Sequence, residues 1–191
     1  MDYQTQNHMT VEYERTIEDI IEFNLFHMSH SPSIRRRTLI TQIIVALFGF
    51  IGVLAFAYIF IREARVLTYF DYIGALIGSV VGIAVIPYLN RVEVIRGLRK
   101  ASSEGDNSAI LGHQTITLTS ESISIKTQGT ESKFNWSSIV RIMQNDKYVF
   151  LYISSINAIV IPIKAFSSDK SLQEFLNIIN VNRDQKIKSD S

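Results

Sequence analysis

Apolar and polar positions alternate from Met9 to Thr16, with Met9, Val11 and Tyr13 against Thr10, Glu12 and Glu14. That is the period of a strand. At Thr16 the period lengthens. Ile17, Ile20, Ile21, Leu25 and Met28 recur at helical spacing, and Thr16 with Asp19 forms a capping box with aspartate in the usual glutamate place. The helix is predicted to stop at Ser31-Pro32, because proline disfavours helical backbone in the residue before it.

Beyond the three arginines at 35–37 the polar positions vanish. Leu39 to Ile61 is a run of 23 residues without a charge, and Tyr72 to Leu89 a run of 18. At about 1.5 Å per residue each is long enough for a hydrocarbon layer of roughly 30 Å. A soluble core helix normally meets water on one side and carries charge there. The ten residues between the runs make a short loop, so the pair is expected to be a helical hairpin. Arg35, Arg36 and Arg37 before it and Arg91, Arg96, Arg99 and Lys100 after it outweigh Arg62 and Arg65 in the loop. This bias predicts that both termini are cytoplasmic. Tyr58, Tyr69, Phe70, Tyr72 and Tyr88 stand near the ends of the runs, at headgroup level.

Within the second run Gly74, Gly78 and Gly82 recur every four residues, with Ala75 and Ser79 beside them. In lipid, small residues let helix backbones approach closely. The first run offers Ala46, Gly49, Val53 and Ala57 as a facing surface. Two readings are open: packing within the hairpin, or a homo-oligomer contact. Pro87 removes one backbone donor and is a point where the helix can kink. No Asp, Glu, Lys, Arg or His lies inside either run, which speaks against transport.

A basic helix, RVEVIRGLRKA, is expected after the second run, and then the linker SSEGDNS at 102–108. Alternation returns beyond it. QTITLT at 114–119 and SISIKT at 122–127 read as a hairpin about Ser120-Glu121, with Ile116, Leu118, Ile123 and Ile125 on the core face. YVFLYISS at 148–155 and AIVIPI at 158–163 read as a second pair, with Pro162 at an edge or strand end. Ser168 caps a final helix whose Leu172, Phe175, Leu176 and Ile179 form one stripe. The domain divisions that follow are 1–34, 35–100, 101–112, 113–183 and a flexible tail at 184–191.

Composition narrows the function classes. Charged residues make up 19% of the chain and hydrophobic ones 47%, against about 25% charged in ordinary soluble domains. The net charge of +1 argues against nucleic acid as a partner. The chain has no cysteine, so thiol chemistry and disulfides are out. The first twenty residues carry acids and no apolar core, unlike a signal peptide. His27 and His30 share a helix face, yet no second pair of ligands accompanies them, and neither a metal nor another cofactor is expected. There is no nucleophile elbow or phosphate loop, so no catalytic residue is assigned and an enzyme is not expected. Trp136, the sole tryptophan, reads either as a core residue or as an interaction anchor. The basic set at 35–37, 91, 96, 99 and 100 reads as a topology determinant and as a contact for anionic headgroups.

The stretches HQTITLTSESISIKT, KFNWSSIVRIMQNDKYVFLYIS and AIVIPIKAF, with the helix after them, resemble the YcxB-like C-terminal domain of bacterial membrane proteins. TIEDIIEFN and SPSIRRR followed by two spans are similar to that family's layout. The resemblance implies an α+β membrane protein of the inner membrane. It would pair a two-helix transmembrane hairpin with a cytoplasmic antiparallel sheet or barrel, similar to a pleckstrin-homology (PH) domain and closed by a C-terminal helix. It implies no activity for any residue. The expected partners are membrane lipid, an unidentified protein, or further copies of this chain. The function expected is a membrane-anchored, non-enzymatic binding module, with a self-assembling membrane component as the alternative.

Overall fold

The computed structural model describes residues 8–61, 68–108 and 110–189. Arg62 and Arg65, used above for orientation, lie outside the described residues. The elements in chain order are β1 (Met9–Arg15), α1 (Ile17–His30), α2 (Pro32–Ile61), α3 (Tyr69–Ser103), β2 (Gly112–Leu118), β3 (Ser122–Lys126), β4 (Glu131–Asn135), β5 (Arg141–Gln144), β6 (Tyr148–Tyr152), β7 (Ala158–Pro162) and α4 (Asp169–Ser189). Short 3-10 turns follow β4 and β7. The chain divides into two compact units, Asn24–Leu98 and a second built from Met1–Phe23 with Arg99–Ser191.

The second unit holds all the strands. β1 to β4 form one antiparallel sheet in sequence order, and β5 to β7 form another. The expected barrel is therefore not closed. The chain leaves the first sheet at β4, turns through Trp136–Ser138 and starts the second, and β4 does not pair with β5. β1 joins β2 with Val11 opposite Ile116 and Arg15 opposite Gly112, although the whole hairpin lies between them in sequence. Gly112 has φ +97°, a conformation that glycine adopts without the cost of a Cβ. Thr119 N–H closes the β2–β3 turn on the Ser122 carbonyl at 2.9 Å, as the Ser120-Glu121 connection led us to expect.

Inward residues of both sheets meet in one core. Ile116, Leu118 and Ile123 are fully buried there with Val149, Leu151 and Ile161, and Ile125 packs at its margin. Leu172, Phe175 and Ile179 of α4 close it. Ser168 caps α4 as expected: its Oγ accepts the Ser171 N–H at 3.2 Å, and Ser171 Oγ accepts the Ser168 N–H at 3.2 Å. Within the stretch expected as a tail, α4 continues to Ser189. Arg183, Gln185 and Lys186 propagate helix well, and nothing there breaks it. α3 likewise runs to Ser103, into the expected linker.

The outer face of the second sheet is covered too. Phe23 of α1 sits 5.9 Å from the Phe150 ring and 5.8 Å from the Tyr152 ring. That explains why YVFLY is apolar throughout rather than alternating: both faces of β6 are buried.

The first unit contains α2 and the apolar part of α3, both long and apolar enough to cross a membrane. α2 starts on Pro32 at its first turn, where proline's missing N–H costs nothing. α3 runs through Pro87 without interruption.

Candidate interaction site

An open concavity in the strand-bearing unit lies between β5 and α4. Its volume is about 480 Å³. Val140, Ile142 and Met143 supply the strand side, and Leu176, Asn180 and Arg183 the helix side. The last three recur at helical spacing, so one face of α4 forms the wall. Val140 is 62% exposed, unusual for a valine beside a packed core. Arg141 lies over the Tyr152 ring, its guanidinium carbon 4.2 Å from the ring centre. Arg183 is held from the side by Asp184, at 3.3 Å from Nη2. Among the lining residues there are two arginines and no carboxylate.

Buried polar groups fix the elements around this groove. Asp19 is 2% exposed and fully engaged: Thr16 donates to Oδ2 from its N–H at 2.6 Å and its hydroxyl at 3.0 Å, and Tyr148 Oη donates to Oδ1 at 2.7 Å. Burial first, then the Asp19 carboxylate, push the Tyr148 hydroxyl up, so it stays a donor. Tyr13 ties the two sheets at the opposite corner. Its hydroxyl donates toward the Val160 carbonyl at 2.7 Å, with Gln114 Oε1 at 3.0 Å. Burial holds this hydroxyl well above the ordinary tyrosine range.

Trp136 is 1% exposed, and its Nε1 donates to the Ser120 carbonyl at 3.2 Å. The structure places it in the core, so it has no open ring face with which to anchor a partner. His30 stacks on Phe26 with ring centres 4.0 Å apart. Among the described residues no group of three His, Cys, Asp or Glu stands close enough for a metal.

In the helical unit the close contacts run along Ala75, Ser79 and Gly82. Ala75 is fully buried and Ser79 is 8% exposed. Ser79 Oγ lies 3.2 Å from the Ala46 carbonyl of α2, and Gln42 Nε2 donates to the Ile83 carbonyl at 3.1 Å. A Cβ on Gly82 would meet Val45 at 3.7 Å and one on Gly49 would meet Ser79 Oγ at 3.9 Å. On Gly74 or Gly78 it would meet nothing within 4 Å. The seam thus shares only Gly82 with the glycine stripe; the Ser79 hydroxyl donates to the Ala75 carbonyl of its own helix at 2.8 Å, with the Ala46 carbonyl of α2 beside it at 3.2 Å. Counting back from Gln42 to Arg35 and on from Ile83 to Arg91 brings Arg35, Arg36, Arg37 and Arg91 to the same end of the hairpin, with Arg96 further out. All five are exposed. Arg99 pairs with Glu18 at 3.7 Å and Lys100 with Glu104 at 3.9 Å, both at the surface.

The sequence reading missed the groove itself. β5 is four residues long, too short for a periodic signal, and nothing in the sequence links it to Arg183. Residues 118–179 match the family model described as YcxB-like protein. No curated protein and no solved structure matches the chain. The matched stretch runs from the end of β2 into α4 and includes the strand side of the groove.

Proposed function

We propose that this chain, whose residues 118–179 match the YcxB-like family model, is a membrane-anchored, non-enzymatic binding module. α2 and α3 anchor it in the bacterial inner membrane, with both termini cytoplasmic. Sheets of four and three strands with a C-terminal helix fit a PH-like domain. The pairing of β1 with β2 supports the common side, because strands before and after the hairpin can share a sheet only if they emerge together. The observation that carries the binding role is the open groove between β5 and α4, with exposed Val140 and two arginines. Protein is the favoured ligand, and anionic lipid the other. The arginines at the end of the hairpin suit headgroups, at about 1 kcal/mol each.

Photo-crosslinking residues placed at Arg141 and at Asn180 in the full chain, in cells, test this reading. We expect adducts from both, identified by mass spectrometry as protein or lipid, and none from Glu131 on β4. Equal labelling from all three positions, or none from the groove, contradicts it.

The second reading is a self-assembling component, such as an immunity or stress factor, that oligomerises through Gly74, Gly78 and Gly82. It is favoured by the open space in front of Gly74 and Gly78. Loss of a cross-linked oligomer on Gly78→Leu supports it; an unchanged cross-linking pattern counts against it.

A further inference from the structure

We infer that the groove takes its partner as an added β-strand: an extended, acidic peptide segment pairs with the free edge of β5 and lies against α4. This rests on the binding-module reading and names the partner's chemistry and the mode of recognition.

The backbone supplies the first part of the argument. Asn145 N–H bonds the Tyr148 carbonyl at 3.0 Å. Antiparallel pairs alternate between bonded and non-bonded, so Met143 with Phe150 and Arg141 with Tyr152 are the next bonded pairs. Ile142 and Gln144 therefore turn their N–H and C=O groups away from β6. β5 ends its sheet, and those groups face the groove. An incoming strand can bond all of them.

Two of the other edges are defended. On β7 the same alternation, set by the Ile153 N–H bond to Asn157, turns Ala158, Val160 and Pro162 outward. The Val160 carbonyl is occupied by Tyr13 and Pro162 has no N–H. β4 presents exposed Glu131 and Lys133, the charges that discourage edge pairing. β5 carries no such guard facing α4. Ile142, Met143 and Leu176 give its groove an apolar floor, and Val140 is exposed beside it.

Charge selects the occupant. Arg141 and Arg183 stand at the groove with no carboxylate among its lining residues. Asp184 takes only the Nε and Nη2 side of Arg183, so the guanidinium has donors left for a second carboxylate. A strand that alternates acidic with β-branched residues turns its carboxylates toward Arg141 on one face and its apolar side chains toward Ile142 and Leu176 on the other.

The test is hydrogen exchange on the full chain in detergent micelles, with a short synthetic peptide alternating glutamate and valine as probe. A lysine–valine peptide is the control. We expect the Ile142 and Gln144 amides to slow by about tenfold or more with the glutamate peptide alone. Gln144→Pro removes an outward donor and no ladder bond, and should weaken binding by about tenfold. Arg141→Glu should reverse the preference between the peptides, and it decides the matter if the proline variant does not fold. Protection elsewhere on the domain overturns strand addition and leaves the binding-module reading standing. Equal protection by the lysine peptide, or by neither peptide, overturns the inference. Protection that instead rises with protein concentration alone assigns the edge to a second copy and also overturns it. The photo-crosslinks from Arg141 and Asn180 judge the broader reading separately.

Discussion

At the scale of single residues, buried polar groups hold the domain together more specifically than its apolar core does. Asp19 caps α1 and bonds β6 through Tyr148, so one carboxylate links a helix start to a strand. Asp19→Ala strands three donors and should cost about 2–3 kcal/mol of unfolding free energy, read by denaturation of the full chain in mild detergent. Tyr13 makes a pH prediction. Its hydroxyl is held neutral in the folded chain, whereas the unfolded chain ionises near about pH 10. The native state therefore retains the proton longer. The stability this contributes is complete below about pH 10 and falls as pH rises above it. A pH series of melting temperatures should show that loss, and Tyr13→Phe should reduce it, with Tyr148 supplying part of the remainder, while lowering stability at neutral pH. A neutral-pH baseline unchanged by Tyr13→Phe would mean that the bridge to Val160 carries no weight.

At the scale of elements, the hairpin seam is the sharpest case. Leucine at Ser79 must displace α2, whereas leucine at Gly78 meets open space. Ser79→Leu should separate cysteine pairs engineered across α2 and α3, and Gly78→Leu should leave them intact, as measured by disulfide cross-linking. The periodicity of the chain made these elements legible to very different degrees. Ile116, Leu118 and Ile123 declared a half-buried sheet through strict alternation, and Leu172, Phe175 and Ile179 declared a helix stripe. The glycine stripe drew attention to the right helix, but of its three members only Gly82 lies on the seam with Ala75 and Ser79, because sequence spacing does not reveal which face of α3 meets α2. β5 was illegible since four residues hold no period, and the division into two sheets depends on the turn at Trp136 rather than on any strand. The groove joins β5 to residues some forty positions later, and pairwise proximity of that kind leaves no trace in local pattern.

At the scale of the whole molecule, α2 and α3 each hold a long stretch that is apolar all round. Within the hydropathic window of α2 nothing is buried, and within that of α3 only 6% is. Phe48 is 75% exposed and Ile59 is 66% exposed. At about 25 cal/mol per Å² such surface is strongly disfavoured in water and costs nothing in hydrocarbon. β1 and β2, flanking the hairpin in sequence, are register partners, so the chain before the hairpin and the chain after it meet in one sheet; on the membrane-anchored reading proposed above, the hairpin then enters and leaves on one side. The chain lacks cysteine, which makes cysteine accessibility a clean probe of this geometry. Single cysteines at Thr68, between the helices, and at Ser155, in the β6–β7 turn, should be treated in intact cells with a membrane-impermeant maleimide. The account predicts labelling at position 68 in intact cells and at position 155 only after permeabilisation. Equal labelling of both, or recovery of the unlabelled chain from the soluble fraction without detergent, would contradict it.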